Sequence, residues 1–204
     1  MAVDQDTGRH RQQKPVRQTE RMAHTVSLAD NVIRLRPITV ADAAAHLVGE
    51  DDELVRWYTG GPSTLDTVAS YLERCETQGQ TDAAVKTFAI DDVTTTALTG
   101  TIDIQIDQPF LSAGQANLAY GVYPAWRGRG VASRAVALAC KYLTDNQVAD
   151  HAVIRVHPDN HASAAVALRC GYRFSHQAVD EHGPLDWYTK AVSDQTADPV
   201  PGLL

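Results

Sequence analysis

Glycine, arginine and the opening of an apolar-periodic segment meet in one run of this chain, Val122-Tyr-Pro-Ala-Trp-Arg-Gly-Arg-Gly-Val-Ala-Ser133. The run reads as a strand end, a turn, a glycine-rich loop and the first turn of a helix. That order makes an anion site. Gly128 and Gly130 let the backbone approach a ligand, and the free N–H groups of a helix start point outward with the positive end of its dipole behind them. Arg127 and Arg129 add charge, so a pyrophosphate suits the loop. A triphosphate loop would need a Gly-Lys-Ser/Thr ending, and no lysine is present here. A dinucleotide fingerprint would need Gly or Ala where Ser133 stands, and a strand leading straight into the first glycine. Pro124-Ala-Trp-Arg intervenes instead. What remains is Arg-x-x-Gly-x-Ala, filled by Arg127, Gly130 and Ala132, or an ordinary strand-to-helix turn.

A second constellation lies downstream, Val156-His-Pro-Asp-Asn-His-Ala-Ser163, followed by an Ala-rich stretch to Cys170-Gly-Tyr-Arg-Phe174. Locally, Asn160 caps a short helix and Gly171 stops it. His157 and His161 have no third ligand nearby, so no metal site is expected. Both constellations, with the opening Ile33-Arg-Leu-Arg-Pro-Ile-Thr-Val-Ala-Asp42, resemble the GNAT acyltransferase superfamily over about residues 30–192. The spacing from Asn160 to Ser163 to Gly171 is similar to the branch that contains ribosomal-protein N-terminal acetyltransferases.

The resemblance implies transfer of the acetyl group of acetyl-CoA to a primary amine by direct attack in a ternary complex. It implies that the pyrophosphate sits on the N–H groups of Gly128, Arg129, Gly130, Val131, Ala132 and Ser133, with Arg127 or Arg129 nearby. The pantetheine arm would run between the strands Asn117–Tyr123 and Ala152–His157. Tyr120, Gly121 and Val122 would hydrogen-bond it, and a backbone N–H there would face the thioester oxygen as it gains charge. Asn160 and Ser163 would border the cofactor, with Ser163 donating a hydrogen bond to the sulfur.

The chain departs from the commoner pattern of that family in two places. No glutamate stands before the loop, where Gln115, Ala116 and Asn117 lie, and Ala167 replaces the tyrosine that serves many relatives as the acid. Asp103 is then the candidate base, the competing reading being a solvated edge carboxylate. The two absences also keep open a second class of function, a non-catalytic acyl-CoA-binding sensor or regulatory subunit. The acidic break Glu50-Asp-Asp-Glu53 either attracts a cationic amine or is a plain solvated loop. Trp57 and Trp126 either wall the cleft or pack in the core.

These residues need elements to hold them. Asn31–Arg36 reads as a strand, Thr39 as the cap of a first helix with Asp42 three residues on, and Thr64–Cys75 as a second helix after the turn Gly60-Gly-Pro-Ser63. Strands follow at Thr87–Asp91, Leu98–Ile106 and Asn117–Tyr123. Ile102, Ile104 and Ile106 face one side of the second of these, and Thr101, Asp103 and Gln105 the other. A helix over Val131–Thr144 buries Val131, Ala135, Leu138, Ala139, Tyr142 and Leu143. A strand Ala152–His157, a helix His161–Cys170 and strands near Tyr172–Val179 and Leu185–Val192, around the turn His182-Gly-Pro184, complete the order β-α-α-β-β-β-α-β-α-β-β. The fold class is α/β (α+β with a mixed sheet) in a single domain, residues 26–192. Residues 1–25 and 193–204 read as disordered or flexible tails, and Met22 as a possible natural start.

The chain of 204 residues is 44% hydrophobic and has no apolar run long enough for a membrane helix. Cys75, Cys140 and Cys170 are odd in number and far apart, which points to reduced thiols in the cytoplasm. Residues 1–22 carry +2, leaving −9 on the rest of a chain whose total is −7. An acidic body argues against a nucleic-acid partner and suits a cationic amine. The expected partners are acetyl-CoA and an amine acceptor, with the protein a monomer or homodimer.

Overall fold

Alternating apolar residues on neighbouring segments of the computed structural model build an eight-stranded sheet. The structure describes residues 28–59, 61–81, 83–180 and 183–192. The strands are β1 (Leu28–Ala29), β2 (Ile33–Pro37), β3 (Val85–Asp92), β4 (Leu98–Gln105), β5 (Gln115–Val122), β6 (His151–Val156), β7 (Arg173–Asp180) and β8 (Gly183–Ala191). Their order across the sheet is β1-β2-β3-β4-β5-β6-β8-β7. Every neighbouring pair is antiparallel except β5 with β6. That parallel join needs a crossover, and helix α4 (Val131–Asp145) supplies it.

Helices cover both faces. The stripe expected on α4 is buried, with Val136 added to it, against Ile102, Ile104, Leu118 and Ile154 of the sheet. Helix α5 (His161–Arg169) buries Ala167 on the same side. On the opposite face, α1 (Ala43–Gly49) and α3 (Leu65–Gly79) pack Ala43, Val68, Leu72 and Cys75 onto Ile38 and Ala89. The architecture is the mixed α/β fold read from the sequence.

The differences are local and have local causes. The strand expected from Asn31 starts at Ile33, because the Asp30 carboxylate accepts the N–H groups of Val32 and Ile33 at 2.7 and 2.8 Å and bends the chain. Thr39 caps a single 3₁₀ turn, Val40–Asp42, before α1 begins, and its N–H donates to Asp42 at 2.9 Å. The acidic break is no break. Asp51 accepts the N–H of Leu54 at 3.1 Å and starts α2 (Asp52–Leu54), which runs on as a π turn to Thr59. The expected tails, Met22, Gly60 and His182 lie outside the described residues.

Candidate active site

Strand β5 ends at Val122, and Pro124–Trp126 make a 3₁₀ turn before the glycine loop. Gly128 and Gly130 have φ of +71° and +78°, the left-handed region that glycine enters without strain. A Cβ on either would meet nothing within 4 Å, so their backbone borders open space. Gly130 is the N-cap of α4, and among the described residues no side chain caps that end. The first N–H groups of a fifteen-residue helix therefore face an open cradle, as a pyrophosphate requires.

The two arginines separate. Arg129 is exposed, with its guanidinium 5.2 Å from the Trp126 ring. Arg127 turns to the acidic segment: it grips Asp51 at 2.7 and 2.8 Å and Glu53 at 2.8 Å, while its Nε donates to the Val122 carbonyl at 2.9 Å. The paired Asp51 raises the Arg127 pKa, and Arg127 in turn holds Asp51 below the usual carboxylate range. Glu50 is also taken, accepting from the Ser63 N–H and hydroxyl at 2.8 and 2.6 Å. Three of the four acidic side chains at 50–53 thus bind partners within the chain, and the idea that they attract a cationic amine finds no free cluster. Arg127 joins loop to helix, and of the two arginines Arg129 is the one without a described ion pair to a carboxylate.

An opening runs from this loop into the sheet. β5 pairs with β4 from Asn117 to Val122, but with β6 only from Gln115 to Asn117. Beyond Asn117 the β6-facing edge of β5 is unpaired. The Tyr123 N–H donates to Thr99 of the β4 side, so by alternation the N–H groups of Val122 and Tyr120 point into the opening and that of Gly121 towards β4. Gly121 serves packing instead: a Cβ there would strike Leu54 at 2.7 Å. Of the three residues expected to hold the pantetheine arm, Tyr120 and Val122 present donors, and Gly121 does not.

Ser163 stands at one lip of the opening. Asn160 caps α5 by accepting the Ser163 N–H at 3.0 Å, which fixes the serine in the first turn. The Tyr120 hydroxyl lies 3.0 Å from Ser163 Oγ. Burial pushes this phenol up to about 12, so it stays protonated and can donate. Nothing in the linear sequence joins the two residues, which are 43 positions apart. Their pairing follows only from β5 and α5 sharing a face.

Asp103 lies on the other face, and the reading of it as a solvated edge carboxylate is wrong. Its strand is central and its polar face is roofed by helices, so Thr101 and Asp103 are buried, as is Ile102 between them. The Tyr58 hydroxyl donates to Asp103 Oδ2 at 3.1 Å, the Thr87 side chain on the paired strand also favours the charged form, and Oδ1 is buried. Desolvation raises the carboxyl to about 6. Tyr58 itself is raised well above the usual phenol range by burial and by Asp103. It sits in the π turn that Leu54 seats over Gly121, and no sequence pattern marked it. Trp57 is half-buried, its ring 5.1 Å from that of His157, while Trp126 packs against the α4 core.

Comparison with known proteins follows this geometry. A family model described as "Acetyltransferase (GNAT) domain" matches residues 33–173. An acetyltransferase of the GNAT family from Bacillus anthracis superposes with a TM-score of 0.70 at 15% identity, covering 83% of this chain and 100% of that one. The ribosomal-protein-S5-alanine acetyltransferase from Vibrio fischeri gives 0.68 at 18%, covering 83% and 98%. RimL, a ribosomal L7/L12 alpha-N-protein acetyltransferase in complex with coenzyme A, gives 0.71 at 14%, covering 82% and 99%. No curated protein matches the sequence. Among the described residues, no helix is long and apolar enough to cross a membrane.

Proposed function

The chain belongs to the GNAT acetyltransferase family, and on that premise we propose that it moves the acetyl group of acetyl-CoA to a primary amine, in a small molecule or at a protein N-terminus, by direct attack in a ternary complex. One observation carries the reading. The uncapped, two-glycine start of α4 lies in line with the unpaired edge of β5, so one extended molecule can lie along both.

In this reading the N–H groups from Gly128 to Ser133 hold the pyrophosphate, with Arg129 adding charge. The Tyr120 and Val122 N–H groups bind along the arm, and one of them donates to the thioester oxygen as charge develops there. Asp103, ionised above about pH 6, takes the proton that frees the attacking amine. The N–H proton released on acylation ends on the leaving sulfur, to which Ser163 donates a hydrogen bond. Tyr120 orients Ser163 rather than giving up its own proton, because a phenol near 12 is a far weaker acid than a thiol near 8.5. Acid and base thus stand on opposite faces of the sheet with the opening between them. The three cysteines are free thiols whose pKa values are raised by burial, which makes them poor nucleophiles and keeps them out of the proposed chemistry.

The test is CoA release across a panel of amines and N-terminal peptides, corrected for hydrolysis, beside direct acetyl-CoA binding. Turnover on at least one amine is the expected result. Tight binding with no turnover on any would replace this reading with an acyl-CoA-binding sensor.

A further inference from the structure

The face of the sheet that carries Asp103 continues past the opening into a cleft of about 370 Å³ lined by Phe110, Arg155, His176, Asp180 and Trp187. Register places it. Asn117 pairs with Val153, and two residues further along each strand Ala119 and Arg155 border the opening on the same face; Asp103 pairs with Ala119, and Arg155 with Trp187, which pairs with His176. One row therefore runs Asp103, Ala119, opening, Arg155, Trp187, His176 across a single face. Paired strands lie about 4.8 Å apart and the opening between β5 and β6 is wider than that, so an extended acceptor of a few residues is needed to reach from the base to the arginine.

Arg155 is built in and under-paired. Its side chain is 19% exposed, with its guanidinium 3.5 Å from the Phe110 centroid and 5.7 Å from that of Trp187. His176 stacks on the far part of that wall, 5.0 Å from Trp187. The one described ion pair of Arg155, to Asp180, is a single contact at 3.3 Å, longer than a good charge-assisted bond. The contrast with Arg127, held by two short bonds to one carboxylate, is plain. Arg155 Nε and Trp187 Nε1 are both buried without a hydrogen-bond partner among the described residues. Burial lowers the Arg155 pKa, whereas their partners raise those of Arg36 and Arg127. A cation desolvated to this degree, held by aromatic faces and one long ion pair, keeps hydrogen-bonding capacity for an incoming anion.

We propose that Arg155 is the carboxylate subsite of the acceptor cleft, so that the favoured acceptor is an amine that also carries a carboxylate. The inference rests on the acetyl-transfer reading and reverses the expectation of a purely cationic acceptor. The amine lies over Ala119 beside Asp103, and the carboxylate displaces Asp180 on the Arg155 fork. The aromatic walls hold the guanidinium flat and keep water from it.

The test uses C-terminally amidated dipeptides that differ only in Asp or Asn at the second position. As free amines they are compared in turnover; as N-acetylated products they are titrated into the CoA-bound protein. The Asp peptide is expected to be favoured about tenfold or more in KM and in binding, a charge-assisted bond against a neutral one. Arg155→Met removes that preference, and Asp180→Asn, by freeing the fork, enlarges it; acetyl-CoA affinity serves as the check that each variant folds. Equal binding of both peptides by the native protein, or a preference that survives Arg155→Met, overturns the subsite. Preferential binding without turnover leaves the subsite and removes the transfer reading. Turnover of neutral amines with no binding preference does the reverse.

Discussion

At the scale of single residues, Ser163 and Tyr120 act as a pair. Ser163→Ala is expected to lower kcat about tenfold while acetyl-CoA affinity changes little, since only the hydrogen bond to the leaving sulfur is lost. Tyr120→Phe removes the phenol that orients the serine and lowers kcat by a smaller factor. The double variant is no worse than Ser163→Ala alone, because the tyrosine acts through the serine. Full additivity in steady-state kinetics would show that the two are independent. Asp103 is tested by pH. With its carboxyl near 6, kcat/KM falls below about pH 6 along a single ionisation. Asp103→Asn lowers activity and abolishes that limb; a limb that persists in the variant assigns it to another group.

At the scale of elements, the loop before α4 divides its arginines between two tasks, and the division is measurable. Arg127→Met breaks the ties to Asp51, Glu53 and Val122. It lowers stability by about 1 kcal/mol, more at low salt than at high, since the pairs are partly exposed. Arg129→Met leaves the melting temperature alone and weakens acetyl-CoA binding in a salt-dependent way. Equal effects of the two on either readout contradict the division. Gly130 allows a second comparison. Its φ of +78° means that Gly130→Ala costs about 1 kcal/mol of backbone strain with no clash. Gly130→Glu adds a negative charge at the helix start and abolishes acetyl-CoA binding at a comparable loss of stability. Retained affinity in the glutamate variant, measured by calorimetry, rejects the loop as the pyrophosphate site.

At the scale of the whole molecule, the buried Asp103 makes folding depend on pH in an unusual direction. Its folded pKa, about 6, lies above the ordinary 3.8, so the folded state binds the proton more tightly than the unfolded chain does. Its contribution to stability is fully present below about pH 4 and is lost as pH rises through 6, on the order of 3 kcal/mol. Asp103→Asn should therefore raise the melting temperature at pH 8 and have little effect at pH 4. A variant no more stable than the native protein at pH 8 refutes a desolvated carboxylate. The sequence alone determined the order of the longer elements, though not the short β1 and α2, together with the α4 stripe and the two loop motifs, because periodicity, caps and glycine positions act over a few residues. It set Ser163 and Asn160 in place for the same reason. Only the tertiary structure decided which charges are free. Arg127 and Asp51 lie 76 residues apart, Tyr120 and Ser163 43, and Tyr58 and Asp103 45. Whether a carboxylate on the polar side of a strand meets water depends on what covers that face. A two-residue alternation names the face and is silent about the roof, and the roof turned Asp103 from a surface charge into a candidate base.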